Sequence, residues 1–356
     1  MHRVLAAAAA LFLSGCSTLS YVAQAAGGEY QILHEARPIA SVVADEQTPA
    51  RIRRLLALVP AIKAYGQAHG LRPTRNYDTY AVLHRPAAVW VVEACAPLAF
   101  DQKRWRFPLI GSIPYLGFFD EGRARALARS LEAEGLDVEV RTAAAFSTLG
   151  WFKDPVLSTM IPAGDEALGE LADIVLHESV HATLYLKDQS AFDESLATFV
   201  AGRLTPPFLE AVVGPQAPET RAWLAAEERS RESLRRLHRA YQELDALYRS
   251  SRTDDAKRAE KASILSALRG ELGYRGVLNN ATLAGYRTYD TGAPSFERLL
   301  AACRESWPRM MKVLAGLGEG DFAKPQQEEF GEVVDRLAER GCEAPTEGPQ
   351  AESRSW

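Results

Sequence analysis

The sequence predicts an α+β protein that is mostly helical, with a small sheet and a long helical hairpin. Three observations lead to this class. Apolar residues recur at helical spacing through residues 166–186, a stretch without proline. Residues 136–142 alternate apolar and polar side chains, which is typical of a half-buried strand. Residues 218–272 are rich in Arg and Glu and carry leucines and tyrosines at three- and four-residue steps.

Further elements complete this architecture. Residues 48–69 predict an amphipathic helix that is interrupted or kinked near Pro60, because an interior proline removes a backbone hydrogen bond. Polar residues at 250–254 divide the hairpin into two long helices. Its heptad-like spacing permits a coiled coil with a partner protein, whereas packing of the two helices on each other is the default. The remaining predicted elements are two strands within 87–94 and 104–115 and a helix over 124–135.

Composition limits the classes of function. A chain of 356 residues with 47% hydrophobic residues can bury a large core. The net charge of −5, and the lack of a long basic run outside one helix, argue against nucleic-acid binding. We predict a single domain over residues 31–340, with the hairpin at 218–272 inside it. Pro, Glu, Ser and Gln predominate in residues 341–356, which predict a disordered tail.

The N-terminus predicts export. Arg3 precedes Val4 to Leu13, a ten-residue apolar stretch that is too short to span a bilayer and typical of a signal peptide. It ends in Leu-Ser-Gly-Cys, which resembles the lipobox of bacterial lipoproteins, where the cysteine becomes the lipidated first residue. An ordinary cleaved signal with an incidental cysteine is the alternative.

The lipobox resemblance implies a localisation. Residues 1–15 would be the signal peptide, Cys16 would carry the lipid, and residues 16–30 would follow the anchor. Several acyl chains on one residue hold a soluble domain stably at a membrane. Ser17 resembles outer-membrane sorting, so we expect the protein in a bacterial envelope, lipid-anchored on the periplasmic side of the outer membrane.

The other three cysteines allow one disulfide. The periplasm is oxidising, and Cys303 and Cys342 flank the predicted C-terminal helices, so they are the favoured pair. Cys95 lies in an apolar run that resembles a strand, which favours a buried thiol.

His177-Glu178-Ser179-Val180-His181 carries the most specific chemical signal. Histidines four residues apart lie on one face of a helix, so both imidazoles can reach one metal ion. Glu178 lies about 100° round the helix from His177, beside the metal and not bound to it. That is the position of the general base in a zinc peptidase. The motif therefore predicts one Zn²⁺ held by His177 and His181, with Glu178 as the catalytic base.

A third ligand is expected nearby, since catalytic zinc usually takes three protein ligands. Residues 193–199 predict a second helix after a polar turn, and this reversal would bring Glu194 beside the histidines. Thr198, one turn later, could hydrogen-bond a metal ligand. Asp193 could support a ligand in the same way, or cap the second helix. The alternative is a buried helix with two hydrogen-bonded histidines and an acidic helix start.

This part of the chain resembles the predicted zinc-dependent aminopeptidases of bacterial envelopes, in the gluzincin-like group of HExxH peptidases. The resemblance covers most of residues 20–310 and implies a zincin-like core. Here Asp193 replaces the usual Asn before the third ligand, and Arg106 and Ser112 stand where the family tends to carry cysteines. The matching runs are 105–120, 146–155, 192–199 and 279–281.

The resemblance also suggests how substrate is held. In zincin-like folds a strand at the rim of the active site pairs with the peptide backbone, a role we assign to residues 136–142 or their continuation to Phe146. Charge that develops on the carbonyl oxygen needs a second electrophile, typically a Tyr or His. We expect it within residues 279–289 and choose Tyr289, although an ordinary core aromatic is an equal alternative.

Three functions remain open. The first is a zinc aminopeptidase that acts on peptides in the envelope. The second is an endopeptidase, because the sequence assigns no acidic cluster that would bind a free α-amino group. The third is an envelope scaffold or chaperone, in which the helical hairpin binds a partner protein and the metal site is structural.

Overall fold

Helices make up most of the chain, and the strands form three small sheets within the described residues. The computed structural model describes residues 24, 27–28, 30–107, 111–145, 153–287 and 292–342. Residues 30–35 are helical. The strands are β1 Arg37–Pro38, β2 Thr79–Ala81, β3 Val89–Cys95, β4 Trp105–Phe107, β5 Gly111–Ile113, β6 Tyr115–Phe118, β7 Asp137–Ala143 and β8 Val156–Leu157. The helices are α1 Ile39–Ala44, α2 Ala50–Ala68, α3 Glu121–Ala133, α4 Ala167–Thr183, α5 Ser190–Val212, α6 Pro218–Arg249, α7 Asp254–Leu272, α8 Asn280–Arg287, α9 Ala293–Ala302, α10 Trp307–Leu314 and α11 Gly331–Glu339.

The sheet with the longest strands is antiparallel, in the order β6-β3-β7. Every residue of β3 is buried, because both of its faces are covered. Trp90, Val92 and Ala94 pack with α3 on one face. Cys95, on the opposite face, packs with Ala281 of α8. In the other two sheets β1 and β8 flank β2, and β4 pairs with β5.

The main core lies between α2, α4, α5 and the C-terminal helices. Of the two alternatives predicted near Pro60, the interruption is wrong, since α2 is a single helix from Ala50 to Ala68, and the kink stays a prediction. Leu56, Val59 and Ile62 are fully buried on either side of the proline. Their packing compensates for the one hydrogen bond that a proline removes from a helix.

The hairpin of α6 and α7 packs on itself. The apolar positions of α6, among them Leu237 and Leu244, are buried with Leu265 and Leu268 of α7 and with Leu283 of α8. The stripe that could have faced a partner protein is therefore used within the chain. Trp223, near the start of α6, anchors the hairpin against α4.

The predicted class, α+β and mostly helical with small sheets, is confirmed. The strands predicted within 87–94 and 136–142 correspond to β3 and β7, and the helix over 124–135 to α3. Residues 104–115 contain two short paired strands instead of one, because the chain reverses between β4 and β5.

The remaining large-scale predictions concern the ends of the chain and its boundaries. The structure places a disulfide between Cys303 and Cys342, the pair favoured above, and Cys95 is a buried free thiol. No described helix has the combination of length and apolar composition that crossing a membrane requires. The single-domain boundaries stay a prediction. The tail predicted over residues 341–356 begins too early, because Cys342 is buried and bonded to Cys303, and residues 343–356 lie outside the described residues.

Candidate metal centre

Two consecutive helices, α4 and α5, carry the predicted metal ligands. Helix α4 buries residues around most of its circumference, as expected of a helix in the middle of a core. The connection to α5 is six residues long, from 184 to 189. Asp188 within it has a φ of 59°, a left-handed conformation that aspartate adopts more readily than most residues. This tight reversal brings Glu194 of α5 beside His177 and His181 of α4.

The three ligand atoms converge on one point. Nε2 of His177 lies 3.2 Å from Nε2 of His181. Oε2 of Glu194 lies 3.4 Å from Nε2 of His177, and its Oε1 lies 3.8 Å from Nε2 of His181. Ligand atoms about 2.05 Å from an ion at tetrahedral angles are about 3.3 Å apart. The 3.2 and 3.4 Å spacings match such an edge, whereas the 3.8 Å distance is longer and runs to the other oxygen of Glu194.

The chemistry of the donors also fits a divalent transition metal. Imidazole nitrogen and carboxylate oxygen are ligands that zinc accepts, and imidazole also suits copper, iron and nickel. Two buried imidazole nitrogens that face each other at this distance leave one lone pair unsatisfied unless a proton or a metal lies between them. His177, His181 and Glu194 therefore form a possible metal site.

The charges around the site favour a bound cation. Burial disfavours a charged imidazolium, but the hydrogen bond with Glu194 and the charges of Glu178 and Asp173 outweigh it and raise the pKa of His177 to about 9. Burial lowers the pKa of His181. Burial alone would raise the pKa of Glu194, but the hydrogen bond from His177 and the positive charges nearby lower it. A bound metal ion would replace the proton that this acidic environment attracts.

Glu178 is half-buried beside the ligand cluster and is not part of it. Its Oε2 is buried and has no hydrogen-bond partner among the described residues. Tyr77 is its neighbour: burial and the charges of Glu178 and Asp154 raise the pKa of Tyr77 well above its usual value. A buried carboxylate oxygen without a partner is costly, so its position calls for a functional explanation.

Tyr77 is held in an unusual backbone conformation. Its φ is 64°, and only 3% of the residue is exposed. For a bulky residue this left-handed region is a steric outlier that costs on the order of 1–3 kcal/mol, and such outliers cluster at functional sites. The backbone N–H of Tyr77 donates to the carbonyl of Asp154 at 2.7 Å, which fixes the strained residue in place. No periodicity or motif in the sequence marked this residue.

Asp193 stabilises the turn between the two ligand helices. The suggestion that it caps α5 is wrong, because the helix already begins at Ser190 and Asp193 lies within its first turn. Its Oδ1 accepts a hydrogen bond from the backbone N–H of Leu186 at 2.9 Å. Burial, partly offset by this hydrogen bond, raises the pKa of Asp193 to about 8. Its contact is therefore with the loop that sets the position of Glu194.

Thr198 does not fill the supporting role suggested for it. Its side chain is exposed on α5, and in the described part of the chain it forms no hydrogen bond with His177, His181 or Glu194. The i, i+4 spacing from Glu194 places the two residues on the same side of the helix, but Glu194 turns inward to the histidines. Tyr289 and Cys16, the other two site residues predicted from sequence, lie outside the described residues.

Strand β7 offers an open edge near the metal centre. It pairs with β3 on one side and with no other strand within the described ranges. The carbonyl of Ala143 accepts from Ala88 on the β3 side, and the carbonyl of Val138 accepts from the Asn279 side chain on the other. By the alternation of a strand, the backbone groups of Val140 and Thr142 point away from β3. Arg141, between them, lies close enough to Glu194 to lower its pKa.

Comparison with known proteins gives one match. A protein-family model described as "Putative aminopeptidase" matches residues 20–329. No curated protein and no solved structure matches the chain. The matched segment contains all three possible metal ligands, Glu178 and strand β7. The chain therefore belongs to the family of proteins described as "Putative aminopeptidase", which suggests a peptidase activity.

Proposed function

We propose that this protein is a zinc-dependent peptidase of the bacterial envelope that removes residues from the N-termini of peptides. The observation that carries the proposal is the convergence of ligand atoms from His177, His181 and Glu194, which lie within 4.8 Å of one another, with the unpartnered Oε2 of Glu178 beside them. A zinc ion, when bound, polarises a carbonyl group and makes water nucleophilic near neutral pH. The family supports hydrolysis of peptides as the reaction.

Glu178 is suited to moving the proton. Its buried Oε2 has no hydrogen-bond partner among the described residues, so it can accept a proton from an attacking water molecule. The same carboxyl group can then donate that proton to the amine that leaves. A purely structural metal site needs no such group, which is why this residue separates a peptidase from a scaffold.

We propose Tyr77 as a hydrogen-bond donor at this site, because the charge of Glu178 acts on its hydroxyl. Its raised pKa, caused by burial and by Glu178 and Asp154, keeps the hydroxyl protonated at neutral pH. A protonated hydroxyl can stabilise the negative charge that develops on the carbonyl oxygen. Tyr77 is therefore a second candidate for this role, in addition to Tyr289. A Tyr77→Phe variant removes only the hydroxyl and so tests its contribution.

Strand β7 supports binding of an extended peptide. The outward backbone groups of Val140 and Thr142 can pair with a substrate strand, as expected from the zincin-like arrangement. Asn279 already occupies the neighbouring carbonyl of Val138, so pairing is restricted to the C-terminal half of β7. This open half is the end of the strand that carries Arg141, near Glu194.

The envelope location rests on the N-terminal sequence. We propose that Cys16 is lipidated after removal of residues 1–15 and anchors the peptidase on the periplasmic side of the outer membrane. A Cys16→Ser variant should appear in the soluble periplasmic fraction, whereas the unmodified chain sediments with membranes. Full membrane association of the variant would contradict lipid anchoring and leave the enzymatic proposal intact.

The activity is tested with a diverse peptide mixture, half of it N-acetylated, incubated with the zinc-loaded soluble domain. Mass spectrometry compares the products with those of the Glu178→Gln variant. We expect loss of single N-terminal residues from the free peptides only, and no products from the variant. Internal cuts that are indifferent to acetylation would identify an endopeptidase. Products that are identical for the two proteins would overturn the assignment of Glu178.

A further inference from the structure

Two glutamates face each other across strands β3 and β7. Glu93 and Glu139 are register partners in this antiparallel pair. Like charges directly opposite each other destabilise a sheet, so the pairing needs a compensating interaction. Arg141 provides part of it, since its Nη2 donates to Oε1 of Glu93 at 3.1 Å and its Nε to the same oxygen at 3.3 Å. By the two-residue period of a strand, all three side chains lie on the sheet face that α8 covers.

The compensation by Arg141 is incomplete. Glu93 is only 4% exposed, and its Oε2 is buried without a hydrogen-bond partner among the described residues. Leaving a buried charged acceptor unpaired costs more than an ordinary hydrogen bond contributes. Two carboxylates face one guanidinium, so the cluster has one more negative than positive charge when both carboxylates are ionised. A ligand cation with several N–H donors would donate a hydrogen bond to Oε2 of Glu93 and would neutralise the excess negative charge.

The pKa values of both glutamates are raised, as expected of a buried acidic pair. Burial raises the pKa of Glu93 although Arg141 opposes it. Burial and the charge of Glu93 raise the pKa of Glu139 to about 7, although the charge of Arg141 and a hydrogen bond with Thr282 of α8 oppose this. A bound cation would favour the charged form of both groups.

The cluster is connected to the metal centre through Arg141. The guanidinium that binds Glu93 also lowers the pKa of Glu194, a metal ligand on α5. Glu139 and Arg141 are partly exposed, and Glu93 is buried. The open backbone groups of Val140 alternate with these side chains along β7. A peptide on this edge would therefore pass directly beside the acidic pair.

We propose that Glu93 and Glu139 form a binding site for a primary ammonium group of the peptide substrate. The inference rests on the proposed peptidase function and adds a specificity to it. The ammonium donates to Oε2 of Glu93 and to the carboxylate of Glu139, while Arg141 keeps its bond to Oε1 of Glu93. Two parts of a peptide carry this chemistry, the free N-terminal amine and the lysine side chain, and the test distinguishes them.

Binding is measured by calorimetry on zinc-loaded protein with the Glu178→Gln substitution, so that turnover does not interfere. Four otherwise identical peptides are compared: N-terminal amine or acetyl, each with either lysine or its uncharged analogue norleucine. We expect one of the two ammonium groups to tighten binding by about tenfold or more, as a charge-assisted hydrogen bond can. Tighter binding of the peptides with a free amine would identify the N-terminal ammonium as the ligand of this site. Tighter binding of the peptides with lysine would identify the lysine side chain.

The second half of the test places Glu139→Gln in the same background. We expect this substitution to remove the preference for the ammonium and to leave binding of the acetylated norleucine peptide unchanged. Glu132→Gln on the exposed face of α3 is the matched control. Glu93→Gln, which keeps an acceptor for Arg141, should act like Glu139→Gln if it folds.

Failure of this inference and failure of the proposed function give different results. Equal affinity for all four peptides, or no measurable binding of any, overturns the ammonium site. An equal loss for all peptides on Glu139→Gln also overturns it, because it indicates a structural role. Ammonium-selective binding without any cleavage by the unsubstituted protein would instead refute the peptidase and retain the site.

Discussion

The α4–α5 pair and the α6–α7 hairpin are both pairs of consecutive helices, but they differ in where their charged residues lie. In α4 and α5 most positions are buried, and the half-buried acids and histidines gather at the metal centre. In α6 a single stripe is buried, and the charged residues pair with one another on the surface. Arg235, for example, contacts Glu232 at 2.8 Å while 58% of its side chain is exposed.

This difference shows that a charged residue indicates function when it lies inside a core, and not when it lies on a solvated surface. A solvated ion pair contributes little because water competes for both partners. A charged group inside a core is expensive unless it is paired, so its presence requires an explanation such as metal binding or catalysis. The two helix pairs should therefore respond differently to the same kind of substitution.

The largest difference is expected for removal of a carboxylate charge. Glu178→Gln should lower the rate of peptide hydrolysis by about 10²- to 10⁴-fold, the range that general acid–base catalysis contributes. Zinc content should stay unchanged, because Glu178 is not among the ligands. The matched change Glu228→Gln on the exposed hairpin should leave the rate as it is. A Glu178→Gln variant with more than a tenth of the activity would contradict the comparison.

The second-largest effect is expected for the loss of a metal ligand. Glu194→Ala deletes one of the three converging donors and should weaken zinc affinity by more than about 100-fold, beyond the effect usual for residues that only support a ligand. Because a metal that binds only the folded state stabilises it, a chelator should lower the melting temperature of the unsubstituted protein and leave that of the variant unchanged. Elemental analysis and thermal melts measure both effects. Undiminished zinc in the variant would point to a different third ligand.

Packing between the two regions gives a smaller effect. A Cβ on Gly169 of α4 would lie 2.6 Å from the indole of the buried Trp223 of α6. Gly169→Ala should therefore destabilise the fold by about 1–3 kcal/mol through overpacking. The same substitution at Gly202 of α5, where nothing described lies within 4 Å, should stabilise it by about 0.5–1 kcal/mol. Denaturant unfolding measures the stability of both variants. Equal changes in the free energy of unfolding would show that the contact with Trp223 is unimportant.

The smallest effect is expected on the hairpin surface. Arg235→Ala removes contacts with Glu228 and Glu232, both of which are largely exposed. We expect the unfolding midpoint to stay unchanged within the precision of the measurement, in low and in high salt. A clear, salt-dependent loss of stability would show that this surface is more than a solvated face.

The sequence by itself determined the parts of the site that are local. Histidines four residues apart share a helix face whatever surrounds them, so His177, His181 and the neighbouring Glu178 could be placed from the helical period. Glu194 could be added because only a short turn separates it from the first helix. The hairpin was also predictable, since its apolar stripe has the same period along both helices.

Only the tertiary structure decided the groups that meet across long separations. Glu93 and Glu139 face each other because β3 and β7 pair in one register, and a slip of one residue would leave them on opposite faces of the sheet. The charge of Glu178 acts on Tyr77, which lies in a strained turn that no pattern in the sequence marks. Thr198 illustrates the converse, since its helical spacing from Glu194 was suggestive but packing left it exposed. Periodicity fixes which residues share a face, whereas burial and strand register decide what that face meets.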